Sequence, residues 1–195
     1  MTNKLLLAAL GATAFLPAAA QAQRAPAAVV VVIDTDRIGR ECTACRAAAT
    51  QLQTQENSLR SRAQTLQQQL APEGQTLERE IGALAGKQPS AALQQRITAF
   101  QNKQRSAQQE LATGQRNLAS TQANVNQQIS ARLATIIQTV AQQRGANLAL
   151  AKDATVYAGP AVDVTNEVLA QLNRQLPSVS VTPLPQSQQQ QPQGR

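Results

Sequence analysis

Apolar residues along this chain follow three patterns, and each pattern predicts a different element. Five consecutive β-branched residues at 29–33 predict a strand buried on both faces. Asp34, Thr35 and Asp36 follow directly and predict the cap of a helix that starts near Arg37. From there to about residue 143 the apolar residues recur at three- and four-residue intervals, as they do in a coiled coil.

The coiled-coil stretch predicts two antiparallel helical arms. Gly, Lys, Gln and Pro at 86–89 predict the tip, with Ser90 as the cap of the second helix. This tip gives arms of similar length, 37–85 and 90–143, whereas a tip at Pro72 does not. Pro72 is therefore expected to produce a kink or a 3₁₀ step within the first arm. At 1.5 Å per residue each arm is roughly 70–80 Å long.

The seam between the arms is expected to be thinly filled. Its apolar positions are Leu52, Leu59, Ala63, Leu66, Leu70, Leu77 and Leu84 in the first arm and Leu93, Ile97, Phe100, Ala107, Leu111, Leu118 and Val125 in the second. Gln104, Gly114 and Thr121 stand where Leu or Ile would pack best, and each forfeits about 1–3 kcal/mol of side-chain burial. The pattern favours arms that splay, and the alternative is a stiff coiled coil with tolerated defects.

After the second arm the pattern returns to short elements. Residues 147–151 and 155–157 predict two strands joined by a turn, and Asp163 predicts the cap of a helix that carries Val168, Leu169 and Leu172. The Pro-, Gln- and Ser-rich residues 177–195 predict a disordered tail.

These elements define an α+β fold with one N-terminal strand and two C-terminal strands. The β body comprises 23–36 and 145–176, and the hairpin arm of 37–144 is inserted into it. Three short strands and one helix bury too little apolar area to support such arms alone, so we expect self-association.

The first residues are typical of a signal peptide. Lys4 precedes an apolar run at 5–16, Pro17 ends it, and a small-residue cleavage site follows at Ala20–Ala22. The run has about a dozen residues, short of the ~20 that a membrane-spanning helix needs. The sequence therefore predicts that residues 1–22 are removed and that the remaining chain is exported and does not span a membrane.

Composition narrows the classes of function. The 195 residues contain no histidine, which excludes His-based acid–base or nucleophilic catalysis and the common zinc sites, so we expect no enzyme and no cofactor. The net charge is +7, but the aromatic residues that stack nucleic-acid bases are nearly absent, so nucleic acid is not an expected partner.

Basic side chains along the arms are the candidate binding residues. They are Arg60, Arg62, Arg79, Lys87, Arg96, Lys103, Arg105 and Arg116. Their positive field would attract acidic partners, and anionic lipid or lipopolysaccharide is a further candidate. The alternative interpretation is that these charges only solvate exposed helix faces.

Cys42 and Cys45 form a C-x-x-C pair at the start of the first arm. Export to an oxidising compartment favours a disulfide within the chain, and links between subunits or free thiols are the alternatives. Redox catalysis is disfavoured because such motifs belong to a βαβ domain, which the pattern does not predict. Two cysteines without histidine cannot close a zinc site within one chain.

Two segments of the predicted C-terminal body have a distinctive sequence. They read Ala-Leu-Ala-Lys-Asp-Ala-Thr-Val-Tyr-Ala at 149–158 and Val-Asp-Val-Thr-Asn-Glu-Val-Leu-Ala-Gln-Leu-Asn at 162–173. These residues resemble the C-terminal part of the Skp/OmpH family of periplasmic chaperones. The strand at 29–33 is a second, less specific match, and the arms match in length and character only.

The resemblance implies a homotrimer whose strands form a central β-barrel, with Val30, Val32, Leu148, Leu150, Val156 and Tyr157 in the trimer body. It also implies that the arms hold unfolded outer-membrane proteins in the periplasm without ATP. A structural or adaptor coiled-coil protein of the cell envelope is the alternative function.

Overall fold

The computed structural model describes residues 26–185, so the predicted signal peptide (1–22) and residues 186–195 lie outside the described part. The elements in chain order are β1 (Val30–Ile33), α1 (Thr35–Glu41), α2 (Thr43–Gly82), α3 (Ala91–Gln143), β2 (Leu148–Ala151), a 3₁₀ turn (Lys152–Ala154) and α4 (Thr165–Gln175). The arm consists of α2 and α3, and the body consists of the other elements. The predicted first arm of 37–85 is interrupted at Cys42, whose backbone is extended, so its first turns form the separate helix α1.

The body is built around β1, which is paired on both edges. On one edge β1 and β2 are parallel, in a register that runs from Val30 opposite Leu148 to Ile33 opposite Ala151. On the other edge the Val32 N–H donates to the Val162 carbonyl (2.8 Å), and the Val164 N–H donates to the Val32 carbonyl (3.0 Å). Parallel strands need a long crossover between them, and here the entire arm is that crossover.

The predicted second C-terminal strand at 155–157 is not formed, so that prediction was wrong. Residues 152–154 make a 3₁₀ turn, and beyond it Val156 is fully exposed and Tyr157 is 86% exposed. Valine and tyrosine favour extended backbone, but a strand forms only where it pairs with a neighbouring strand. Both edges of β1 are occupied, by β2 and by residues 162–164, and residues 155–157 do not pair with the outer edge of β2.

The core of the body lies where α4 packs against the base of α3. Val164, Val168 and Leu172 from the α4 region bury their side chains against Ile136 and Val140 of α3. Val31, Ile33 and Ile38 close the same cluster from the β1 side. The end of the second arm is therefore anchored in the body core.

Asp34 is the N-cap of α1, whereas the N-cap of α4 is Val164 and not Asp163 as predicted. Asp34 accepts a hydrogen bond from the Arg37 N–H (2.8 Å), which is the main reason its pKa lies below the ordinary value. Asp163 accepts from the Thr165 N–H (2.9 Å), and its hydrogen bonds with Thr165 lower its pKa similarly. The Lys152 Nζ lies 3.4 Å from Asp34 and 3.9 Å from Asp163, between the two carboxylates.

The arm helices have 40 and 53 residues, about 60 and 80 Å. The connection between them lies at 83–90, around the tip predicted at 86–89, and Ser90 caps α3 by accepting from the Leu93 N–H. The 3₁₀ step expected at Pro72 is absent, because α2 remains α-helical through this residue. Proline leaves the Gln68 carbonyl without its helical donor, but Gln68 is exposed and water can replace that bond.

The seam is better filled than predicted. At Gly114 a Cβ atom would lie 2.6 Å from Leu59 Cδ1, and at Gly74 it would lie 3.0 Å from Phe100 Cζ. Thr121 is also buried and donates its hydroxyl to the Asn117 carbonyl (2.8 Å). Each glycine therefore receives a large side chain from the opposite helix, which sequence reasoning had counted as a defect.

Gln104 fills its position poorly, as predicted. Its side chain is exposed and borders an opening between α2 and α3. The four-residue helical spacing from Phe100 places it at the rim of the contact.

The predicted disorder of the tail was wrong for residues 177–185, the C-terminal segment. After α4 this segment runs back along the arm, and side chains of both arm helices bind its backbone. Leu176 and Val179 pack against the body core. The composition could not show that the arm supplies hydrogen-bond partners for the backbone of this segment.

The fit of Leu59 to Gly114 gives the first prediction. Gly114→Val should lower the free energy of unfolding by about 1–3 kcal/mol, because the added methyl groups overlap Leu59. Thermal unfolding followed by circular dichroism measures the effect. Leu59→Ala in the same chain should restore part of the loss.

The control is Gly39→Ala in α1, where a Cβ meets nothing within 4 Å. It should raise stability by about 0.5–1 kcal/mol through helix propensity alone. Equal effects of Gly114→Val and Gly39→Ala would contradict the tight seam.

Candidate functional site

Three ion pairs connect the two arm helices. Arg62 binds Glu110 through two hydrogen bonds (2.6 and 3.1 Å). Closer to the tip, Lys103 pairs with Glu73 (2.7 Å) and Arg96 pairs with Glu80 (2.6 Å). Each pair joins α2 to α3, so three of the eight predicted binding residues also set the register of the arm.

The other predicted basic residues bond mainly within their own helices. Arg60 pairs with Glu56 (3.0 Å), Arg79 donates to the Gln75 carbonyl and the Thr76 hydroxyl, Arg105 donates to Asn102, and Arg116 donates to Thr113. Lys87 lies in the turn at the tip. All eight side chains are exposed and are distributed along the arm. The eight residues therefore form an extended basic surface and are not clustered at one site.

Ion pairing changes the titration of one carboxylate in the arm. The hydrogen bond from Arg62 holds the pKa of Glu110 below its ordinary value of 4.5, and the same contact raises the pKa of Arg62. Both side chains are nearly half exposed, so the pair is screened by solvent. Its main effect is to orient the helices relative to each other.

An apolar cleft opens between α2 and α3 in the half of the arm nearer the tip, with a volume of about 590 Å³. Its floor contains Leu70, Leu77, Ile97 and Phe100, and its rim carries the carboxamides of Gln67, Gln75, Gln101 and Gln104. We call this the distal cleft. The sequence analysis did not predict the distal cleft, although Gly74 opposite Phe100 within the seam pattern could have indicated it.

The body presents a second apolar surface, which includes three of the six predicted trimer residues. Leu148 is 43% exposed, and Val156 and Tyr157 are almost fully exposed. Val30 and Leu150 are half-buried, while Val32 is buried within the protomer. β2 has no second strand beside it within residues 26–185, so its outer edge is unpaired there.

Cys42 and Cys45 form a disulfide at the junction between α1 and α2. Cys42 is completely buried and Cys45 is 8% exposed, and both belong to the body core. The Cys42 sulfur also accepts from the Cys45 N–H at the start of α2. A disulfide at this position is suited to stabilising the base of the arm and not to catalysis, since a thiol substrate cannot reach the buried sulfurs.

Two negative findings concern residues 26–185. None of the helices there combines the length and apolar character needed to cross a membrane. No group of three or more cysteine, aspartate or glutamate side chains in this part is placed to hold a metal ion.

Comparison with known proteins identifies the family. Residues 29–172 match the family described as outer membrane protein (OmpH-like). The chain belongs to the OmpH-like family. The matched region begins just before β1 and ends within α4, so it includes the whole arm and all of the body except the end of α4.

A solved structure shows the same fold. It is a crystal structure of a candidate outer membrane chaperone (OmpH-like) from Caulobacter crescentus CB15, with a TM-score of 0.67 and 22% identity. The match covers 84% of this chain and 95% of that chain. No curated protein matches the sequence.

The Arg62–Glu110 pair predicts a pH dependence of this OmpH-like arm. Because the folded pKa of Glu110 is lowered, its contribution to stability is complete above the unfolded value near 4.5 and is lost as pH falls through the folded value. Glu110→Gln should therefore lower the melting temperature at pH 7 and have a smaller effect at pH 3. Glu78→Gln is the control; a pH-independent difference between the two variants would contradict this role.

Proposed function

We propose that this OmpH-like protein is an ATP-independent holdase chaperone of the periplasm, which keeps unfolded outer-membrane proteins soluble before membrane assembly. The observation that carries the proposal is a long two-helix arm with an apolar distal cleft and an exposed basic surface, projecting from a small body. Family membership and the chaperone description of the similar structure support it. Holding a client requires no chemical reaction, so we propose that the protein is not an enzyme and uses no cofactor.

The client chemistry fits these surfaces. A membrane β-strand alternates apolar and polar side chains, and before insertion its apolar face has no lipid to enter. The distal cleft offers apolar contacts, and arginine and lysine stems can cover further apolar surface. The basic side chains would speed the capture of acidic clients, and anionic lipid or lipopolysaccharide headgroups are candidate partners for the same charges.

Self-association would complete the body. We propose a homotrimer in which the outer edge of β2 and the exposed Leu148, Val156 and Tyr157 of each subunit pack against the neighbouring subunit. An exposed edge strand next to apolar side chains is an unstable surface in water and a ready interface. Val32, predicted for this interface, would act from within the protomer instead.

The alternative proposal is a structural or adaptor protein of the envelope. It would use the arm as a spacer between partners and would not need the distal cleft. Export by the predicted signal peptide suits both proposals, so the distinction depends on client binding.

The rates of client association and dissociation should depend differently on salt. The protein should suppress aggregation of a urea-diluted outer-membrane barrel, and association should slow as salt increases because the basic arm surface is screened within about 10 Å at 0.1 M salt. Dissociation should depend less on salt, since apolar contacts hold the bound client. Stopped-flow fluorescence measures both rates, and association without any salt dependence would remove the steering role.

Disruption of the exposed body surface should change the oligomeric state. Tyr157→Asp should shift the protein from trimer to monomer in light scattering, while the circular dichroism of the arm is retained because Tyr157 lies outside the protomer core. Ser178→Asp is the control, because Ser178 is exposed and is not among the predicted trimer residues. A trimer that persists in Tyr157→Asp would argue against this interface.

A further inference from the structure

The C-terminal segment is held by its backbone, and the contacts come from both arm helices. Gln128 of α3 donates to the Ser180 carbonyl (3.0 Å) and accepts from the Ser180 N–H (2.9 Å). Asn124 donates to the Thr182 carbonyl (2.9 Å), and the Leu184 N–H donates to the Ser120 hydroxyl (2.9 Å). From α2, Gln55 donates to the Val181 carbonyl (3.0 Å).

The spacing of these contacts has a geometric basis. Every second residue of the segment (180, 182 and 184) meets every fourth residue of α3 (128, 124 and 120). Two extended residues span about 6.6 Å and four helical residues span about 6 Å, so the two repeats nearly match. A stripe of polar side chains at four-residue intervals can therefore follow an extended chain for several residues.

The contacts recognise a conformation and not a sequence. All five bonds end on backbone N–H or C=O groups of the segment, which nearly every residue carries. Gln128 pairs with both backbone groups of Ser180, as a neighbouring strand would. The segment itself reads Val179, Ser180, Val181, Thr182, an apolar–polar alternation like that of a membrane β-strand.

We propose that the arm binds extended polypeptides through carboxamide side chains that pair with their backbone, and that the C-terminal segment occupies this site within the chain and competes with clients. The inference rests on the proposed holdase function and names how the same arm recognises its substrate. It also gives a role to the glutamine-rich composition of the arm, which a solvating surface does not require.

The stripe has an extension towards the tip. Continued by fours from Ser120, it passes Arg116 and Ala112 and reaches Gln108 and Gln104, and Gln104 is on the rim of the distal cleft. Within residues 26–185 the carboxamides of Gln67, Gln101 and Gln104 have no hydrogen-bond partner. These carboxamides surround the apolar floor of the distal cleft. An extended client bound there could pair its backbone with the carboxamides and place its apolar side chains on the floor.

The test compares the full mature chain with a chain that ends at Val179, which keeps the residues packed on the core. Binding of a urea-unfolded outer-membrane barrel is measured by fluorescence anisotropy. The shortened chain should bind about threefold to tenfold more tightly, because the competing segment acts at a high effective concentration. Unchanged or weaker binding by the shortened chain would overturn the competition.

Substitutions in the shortened chain test the carboxamides. The triple variant Gln55→Ala, Asn124→Ala, Gln128→Ala should lose the gain in affinity. The matched control is Gln51→Ala, Asn126→Ala, Gln127→Ala, which removes the same side-chain types from exposed positions without contact to the segment. Equal losses in both triple variants would show that the site does not depend on these carboxamides.

A peptide probe separates this inference from the holdase proposal. A fluorescent peptide of residues 178–185 should bind the shortened chain, and N-methylation of its Ser180 and Leu184 amides should weaken binding about tenfold or more, because two donors are lost. Peptide binding without capture of the barrel would reject the holdase and retain the backbone site. Capture of the barrel equally by all variants, with no effect of N-methylation, would reject the backbone site and retain the holdase.

Discussion

The parallel pairing of β1 with β2 is the contact on which the rest of the molecule depends. It joins residues that are more than a hundred positions apart, so both ends of the arm are fixed at one place. Once the ends are fixed, α2 and α3 must run side by side, and the seam and the three cross-arm ion pairs can form. The α4 core and the Cys42–Cys45 disulfide reinforce the same junction, one at the end of α3 and the other at the start of α2. Loop closure over such a distance costs entropy, which explains why the fold concentrates its buried residues at the base.

The parts of this fold that local pattern determines could be predicted from the sequence. The arm helices, the cap at Ser90, and the strand at 29–33 followed by the Asp34 cap all depend on residues close in the chain. The errors involve partners that are distant in sequence. Val156 and Tyr157 have strand-forming side chains, but no strand within residues 26–185 pairs with them. Gly114 looks like a packing defect when its own helix is considered alone. In the structure it leaves the space that Leu59 of the other helix occupies.

The candidate site shows the same limit. Basic residues could be found by composition, but their partners could not, and Arg62, Arg96 and Lys103 turn out to join the helices as well as face solvent. The distal cleft depends on how side chains of both helices are placed around Phe100, which no single heptad register specifies. The C-terminal segment was assigned as disordered because its Pro-, Gln- and Ser-rich composition cannot bury apolar area. That prediction was wrong for residues 177–185, because it overlooked the donors and acceptors that the arm provides.

A tight seam and a holding function are compatible if binding occurs on the outside of the seam. Splaying the arm would expose apolar residues but would also break Arg62–Glu110 and withdraw Leu59 from Gly114. A stripe of carboxamides needs no such opening, because glutamine side chains already reach the backbone of a chain lying along the helix surface. The hydrogen bonds of neutral amides weaken little as salt increases. The charges of the arginines and lysines attract clients over longer distances, and salt screens that attraction. Capture by charge and retention by amides and apolar contacts would therefore use different residues of one rigid arm.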